Sequence, residues 1–126
     1  MKNTNFQLDD FVFVNGKPMQ VKAVHKGKLG FHYEPCRLTW YRIGLLEPIP
    51  LSDEILDKNF EKVVGGDWQL GLCWRIGRNP NYGYILSTLE IDDFGGGYYQ
   101  HCVPCTYLHE LQHLLSDLRI NKKIEL

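Results

Sequence analysis

The N-terminal third of the chain alternates short apolar runs with turn residues. The runs Phe11–Val14 and 19–24 flank Asn15-Gly16, a pair that supplies the two positive-φ residues of a type I′ turn. This pattern predicts a β-hairpin. Pro18 is expected at a strand start or on an edge strand, because it has no N–H to donate to a neighbouring strand.

Further strands are predicted directly after this hairpin. The segment 26–28 is a second turn, and it leads into apolar runs at residues 29–33 and 38–43. Four or five short strands joined by tight turns favour a small curled sheet of the SH3-like barrel type for residues 1–47.

The middle of the chain predicts a short helix followed by strands. Ser52 is a suitable N-cap for a helix at residues 53–58, and Asn59 is expected to end that helix in a left-handed conformation. Aromatic and β-branched residues predict two long strands at 68–76 and 82–91.

The last predicted helix is amphipathic and spans about residues 105–119. Pro104 suits its first turn, and Asn121 is expected to end it. Residues 124–126 are expected to add an edge strand. The element order therefore predicts an α+β fold.

Composition fits one globular domain, with a β-rich lobe at 1–47 and an α+β lobe at 48–126. The chain has 126 residues, of which 44% are apolar and 23% are charged. It has no apolar run of the roughly 20 residues that span a membrane and no apolar segment typical of a signal peptide, so we expect a soluble, cytoplasmic protein without a membrane partner.

The net charge of −1 argues against a strong polyanion binder, but it conceals an asymmetry. Residues 1–46 carry seven basic and three acidic groups, whereas residues 47–126 carry seven basic and twelve acidic groups. The β-rich lobe is therefore the part of the chain that could attract an anion.

One segment of the last helix carries candidate catalytic chemistry. His109-Glu110-Leu111-Gln112-His113 matches the H-E-x-x-H motif, in which two histidines one helical turn apart bind zinc and the glutamate activates a metal-bound water. This suggests a zinc-dependent hydrolase, with His109 and His113 as ligands and Glu110 as general base.

Three features count against a zinc hydrolase. The extended motif needs Gly and His where the chain has Ser116 and Arg119. The helical wheel places His109 and His113 toward solvent, whereas a catalytic zinc lies in a walled cleft. A chain of this length also leaves little room for a substrate groove. A third ligand would have to come from His25, His32, His101, Cys102 or Cys105.

Cys102 and Cys105 form a C-x-x-C pair close to the two histidines. The four side chains offer a complete ligand set, but the spacer between the pairs is far shorter than the usual spacer of a Cys2His2 site. A redox role is disfavoured because the thioredoxin-like β-α-β setting is absent. Cys36 and Cys73 are expected to be buried as small apolar residues.

The β-rich lobe supports a different hypothesis, a nucleic-acid-binding module. Cationic and aromatic side chains are interleaved there, which suits the stacking of single-stranded nucleic acid, although a solvated sheet over an aromatic core has the same pattern. The cationic residues are Lys22, His25, Lys26, Lys28, Arg37 and Arg42, and the aromatic residues are Phe31, Tyr33, Trp40 and Tyr41.

Three blocks of the chain carry a family resemblance. EPIPLSDEILDKNF at residues 47–60 resembles a PIPLTEEILxKNGF block, YLHELQHLLSDL at 107–118 resembles YVHQLQNLYFALTG, and residues 10–17 resemble a GDYV…GK opening. These blocks are typical of a family of small uncharacterised proteins from gut Bacteroidales and their phages and mobile elements. The chain lacks the Gly of KNGF.

The resemblance carries no known activity, and we expect no cofactor, with zinc at the H-E-x-x-H segment as the alternative. Gln often stands in the family pattern at the position of Glu110, and Asn at that of His113, so the resemblance implies that H-E-x-x-H is incidental. We therefore expect a non-enzymatic accessory protein of the mobile-element type that binds a partner, such as a host or phage protein. Gln112, Trp40 and Tyr41 are the expected interaction surface.

Overall fold

The computed structural model describes residues 3–91 and 94–126, with the side chains of residues 89–91 and 98–102 outside that description. Within these bounds, ten strands form three antiparallel sheets and accompany two α-helices, which confirms the α+β class. None of the helices in these ranges combines the length and the apolar character that crossing a membrane requires.

The elements follow one another in a β-rich order. The strands are β1 (Phe11–Val14), β2 (Lys17–Gln20), β3 (Ala23–His25), β4 (Lys28–Glu34), β5 (Arg37–Arg42), β6 (Glu47–Pro48), β7 (Trp68–Leu70), β8 (Trp74–Asn79), β9 (Gly83–Ile91) and β10 (Gly97–Cys105). The helices are α1 (Asp53–Asn59) and α2 (Leu108–Asp117), with a 3-10 turn at Ile43–Leu45.

The chain divides into two compact units. The first unit comprises the described residues up to Pro50 together with Tyr107–Gln112, and the second comprises Leu51–Thr106 together with His113–Leu126. Helix α2 therefore contributes its first residues to the first unit and its last residues to the second.

Two three-stranded sheets, ordered β2-β1-β6 and β3-β4-β5, dominate the first unit. Asn15 and Gly16, with φ of 51° and 78°, form the predicted turn, and Lys26 and Gly27 form a similar one between β3 and β4. Pro18 lies in the edge strand β2, as expected. The buried core residues of this unit include Phe6, Val12, Val14, Val21, Leu29, Phe31 and Leu46.

A four-stranded sheet, ordered β10-β9-β8-β7, and α1 form much of the second unit. Ser52 caps α1 as predicted, because its Oγ accepts a hydrogen bond from the backbone N–H of Ile55 at 3.3 Å. Asn59 does not end α1 in a left-handed conformation. It stays in the last turn, where its Nδ2 donates to the carbonyl of Glu125 at 2.8 Å and its Oδ1 accepts from the same residue's N–H at 2.7 Å.

The predicted long strand at 68–76 is interrupted. Gly71, with φ of 64°, turns the chain between β7 and β8. The prediction for Cys36 and Cys73 was also wrong, since both are exposed. These residues lie beside or within turns, where the alternation of apolar residues does not determine burial.

The last helix is shorter than predicted at both ends. β10 continues through Pro104 to Cys105, and Pro104 is tolerated because β10 is an edge strand. The chain leaves α2 through Arg119, whose φ is 57°, while the N–H of Ile120 donates to the carbonyl of Leu115 at 2.9 Å. No strand forms at the described residues 124–126.

Candidate functional site

Strand register places one set of side chains on the solvent side of the β3-β4-β5 sheet. Leu29 and Phe31 are buried, and because side chains alternate along a strand, Lys28, Gly30 and His32 lie on the opposite side of β4. Their direct partners on β3 and β5 share that side. This surface, the Trp40 face, comprises Ala23, His25, Lys28, Gly30, His32, Leu38, Trp40 and Arg42.

Trp40 lies at the centre of this face and rests on Gly30. A Cβ atom at Gly30 would lie 3.3 Å from Cζ3 of Trp40 and 3.2 Å from Cβ of Ala23. The His25 ring meets the indole edge-on, with the ring centroids 6.4 Å apart. Trp40 nevertheless stays 43% exposed. The indole is therefore supported by backbone and neighbouring side chains while much of its surface faces solvent.

The Trp40 face is cationic. Lys28 and Arg42 are direct cross-strand partners, and both are exposed. Like charges directly opposite each other destabilise a sheet. None of the eight residues of the face is acidic, and Glu34 lies beyond a register shift, paired with Arg37. An anion lying between Lys28 and Arg42 would relieve their repulsion.

An open cleft of about 400 Å³ adjoins Trp40 at the end of the β4-β5 hairpin. Its lining residues are Tyr33, Glu34, Arg37, Leu38, Thr39 and Trp40. The hydroxyl groups of Tyr33 and Tyr41 lie 3.1 Å apart, and the hydrogen bond between them raises the pKa of Tyr33. The Tyr33 ring is thus turned toward Tyr41, which packs against Phe31, and the cleft adds to the Trp40 face the guanidinium of Arg37 together with the carboxylate of its partner Glu34.

Not every aromatic residue predicted to bind nucleic acid is available for it. Phe31 is buried, and the partly buried Tyr41 packs against it with a centroid distance of 6.0 Å. Tyr33 and Trp40 are the exposed aromatic residues of the predicted set. The predicted cationic residues Lys22, His25, Lys26, Lys28, Arg37 and Arg42 are all exposed.

His109 of the H-E-x-x-H segment is buried in the first unit, so the predicted solvent-facing position is wrong. Its ring is edge-to-face with Phe6 at a centroid distance of 4.8 Å and stacked with Tyr107 at 5.9 Å. The helical wheel failed because Phe6, far away in sequence, packs on this side of α2. No property of the helix sequence indicates that contact.

Glu110 serves the start of α2. Its Oε1 accepts a hydrogen bond from the backbone N–H of Tyr107 at 2.9 Å, the return half of a capping box. Its Oε2 accepts from Nδ2 of Asn3 at 3.0 Å. Both carboxylate oxygens of the candidate general base therefore have structural partners within the first unit.

Gln112 binds the backbone next to β1 with both ends of its amide. Oε1 accepts from the N–H of Phe11 at 2.9 Å, and Nε2 donates to the carbonyl of Asp9 at 2.9 Å. Gln112, which was predicted to contact a partner, therefore also has a structural role inside the first unit.

The remaining candidate metal ligands divide between the two units of the chain. His113 is partly buried in the second unit, and Cys105 is buried at the end of β10. The side chains of His101 and Cys102 lie outside the described residues, while the histidines at 25 and 32 belong to the Trp40 face. Among the described residues, no three His, Cys, Asp or Glu side chains group closely enough to hold a metal ion.

In the second unit, charged and polar side chains hold α1 against the sheet. Arg78 Nε donates to Asp53 Oδ2 at 2.9 Å, and Tyr84 donates to Asp53 Oδ1 at 2.6 Å. The guanidinium and then the hydroxyl lower the pKa of Asp53 to about 2. Burial, followed by the hydrogen bond to Asp53, raises the pKa of Tyr84. Arg78 also lies over the ring of Trp68, 5.7 Å from its centroid.

Comparison of the chain with protein-family models, with curated proteins and with solved structures gave no match.

Proposed function

We propose that this protein is a small nucleic-acid-binding module and that the Trp40 face is its binding surface. The observation that carries the proposal is the exposed indole of Trp40, seated on Gly30 beside the paired cations Lys28 and Arg42. Aromatic and cationic groups on one sheet face match the two parts of a nucleotide, its base and its phosphate.

Local charge supports this proposal better than net charge does. The chain as a whole carries −1, but all the charged side chains of the Trp40 face are basic, whereas Arg37, farther along the hairpin, is paired with Glu34. Because phosphate contacts act over about a Debye length, the local arrangement governs binding. With so few cations, affinity should be modest and strongly dependent on salt.

We also propose a non-enzymatic accessory role in the cytoplasm. A non-enzymatic accessory role, as the resemblance implies, is compatible with a module that binds without a cofactor. Cytoplasmic location is supported by the exposed thiols of Cys36 and Cys73, which suit a reducing compartment.

Fluorescence anisotropy with a labelled oligonucleotide of about 12 nucleotides tests the proposal. The double variant Lys28→Glu/Arg42→Glu should bind at least tenfold more weakly than the wild type. Lys122→Glu/Lys123→Glu, which makes the same change in net charge at exposed residues of the second unit, should change affinity much less.

Salt dependence provides the second readout. The slope of the logarithm of the association constant against the logarithm of the salt concentration is negative. Its magnitude should decrease by about 1.4 in Lys28→Glu/Arg42→Glu, because each of the two lost phosphate contacts to a single strand contributes roughly 0.7. Absence of binding to any oligonucleotide at about 50 mM salt, or equal losses in the two double variants, would overturn the proposal.

A further inference from the structure

We infer that the Trp40 face selects single-stranded nucleic acid, with one base stacked on Trp40 and a flanking phosphate between Lys28 and Arg42. This inference rests on the proposed function and adds the ligand class and the position of each of its parts.

The setting of Trp40 favours an unpaired base. A base can stack on an aromatic side chain only when its own face is free, and in a duplex both faces are covered by neighbouring bases. Gly30 and Ala23 support the indole, and His25 lies against it, so the ring is held in place before the ligand arrives. A fixed ring loses little side-chain entropy on binding.

Strand geometry sets the positions of the flanking groups. Arg42 lies two residues beyond Trp40 on β5, which is a rise of about 7 Å, and Lys28 is its direct partner. One nucleotide spans this distance between its base and its phosphate. The cation pair therefore lies where a base on Trp40 would place its backbone.

The opposite direction along the hairpin leads into the cleft. Leu38 lies two residues before Trp40 on the same side of β5, and Tyr33 and Arg37 line the cleft next to it. A second base can contact Leu38, while Glu34, the direct partner of Arg37, disfavours a phosphate deeper in the cleft. The site therefore accommodates about two nucleotides, comparable with other sheet faces that stack bases.

Anisotropy with four probes tests the inference: single-stranded RNA, single-stranded DNA, a duplex of the same sequence and poly-glutamate. Both single strands should bind at least tenfold more tightly than the duplex or the acidic peptide, and the stronger of the two identifies the natural source. Trp40→Ala should weaken single-strand binding by about 5- to 150-fold, and Trp40→Phe should lose less.

Gly30→Ala gives a variant that keeps every charged and aromatic group. Its new Cβ crowds the indole and Ala23, one of which must shift by a few tenths of an ångström, so single-strand binding should fall, but by less than in Trp40→Ala. Gly44→Ala is the matched control, because its Cβ meets nothing within 4 Å.

Tryptophan fluorescence gives an independent readout of stacking. The single strand should quench the fluorescence of the wild type, and Trp40→Phe should abolish the quenching although Trp68 and Trp74 remain.

The outcomes separate the two levels of the proposal. If duplex and single strands bind equally, or if Trp40→Ala binds within twofold of the wild type, while Lys28→Glu/Arg42→Glu binds weakly, the single-strand inference is overturned and the proposed function stands. Binding of poly-glutamate in preference to every nucleic acid would overturn both.

Discussion

Gln112 pairs with the backbone N–H of Phe11 at 2.9 Å, across 101 residues of sequence. The same amide donates to the carbonyl of Asp9, so one side chain satisfies a donor and an acceptor at the entrance to β1. A side chain that meets both a backbone N–H and a backbone carbonyl acts as a short substitute for a neighbouring strand. The middle of the H-E-x-x-H segment thus stabilises the first unit.

Replacement of Gln112 by Ala should destabilise the protein by about 1–3 kcal/mol, since the Phe11 N–H loses its acceptor and the Asp9 carbonyl keeps only the donor from Gln20. Urea unfolding measures this loss, and hydrogen exchange should show reduced protection of the Phe11 amide. Ser116→Ala, an exposed change on the same helix, should stay within roughly 0.5 kcal/mol of the wild type. Equal effects of the two changes would contradict the role of Gln112.

Glu110 offers a test of its capping role at the start of α2. Glu110→Ala removes the acceptor for the Tyr107 N–H and the partner of Asn3, and it should cost about 1–2 kcal/mol in urea unfolding. Glu110→Gln keeps one amide oxygen for Tyr107, so it should lose less. Stability of Glu110→Ala equal to that of the wild type would show that the capping role is unimportant.

Features set by neighbouring residues were predictable from the sequence. The Asn15-Gly16 turn, the Ser52 cap and the edge position of Pro18 follow from the conformational preferences and donor groups of those residues. Pro104 shows the limit of such reasoning, because proline suits both the first turn of a helix and an edge strand. Only the pairing of β10 with β9 decides between them.

Features set by distant contacts were not predictable. The burial of His109 depends on Phe6, and the availability of Trp40 depends on its cross-strand partner being a glycine. Alternation along β4 and β5 does separate Phe31 from Trp40, but the register between the strands is needed to bring Trp40 next to Lys28. The residue types of the candidate site were therefore predictable from the sequence, but their arrangement in space was not.

Asp53 gives the second unit a dependence on acid. Its pKa in the folded protein is lowered from 3.8 to about 2, first by the hydrogen bonds from Arg78 and then by that from Tyr84. Because the pKa of Asp53 is lower in the folded protein than in the unfolded chain, its ionised carboxylate contributes its full stabilisation above pH 3.8. This contribution is lost as the pH falls to about 2, where Asp53 becomes protonated in the folded protein too. The wild-type urea midpoint should therefore fall between pH 3.8 and about pH 2.

Asp53→Asn should show a smaller fall of the urea midpoint over this pH range and a lower midpoint at neutral pH. Glu54→Gln makes the same change in charge at the next residue, which is exposed, and should keep the wild-type profile. Parallel profiles for Asp53→Asn and the wild type would exclude Asp53 as the source of the acid sensitivity.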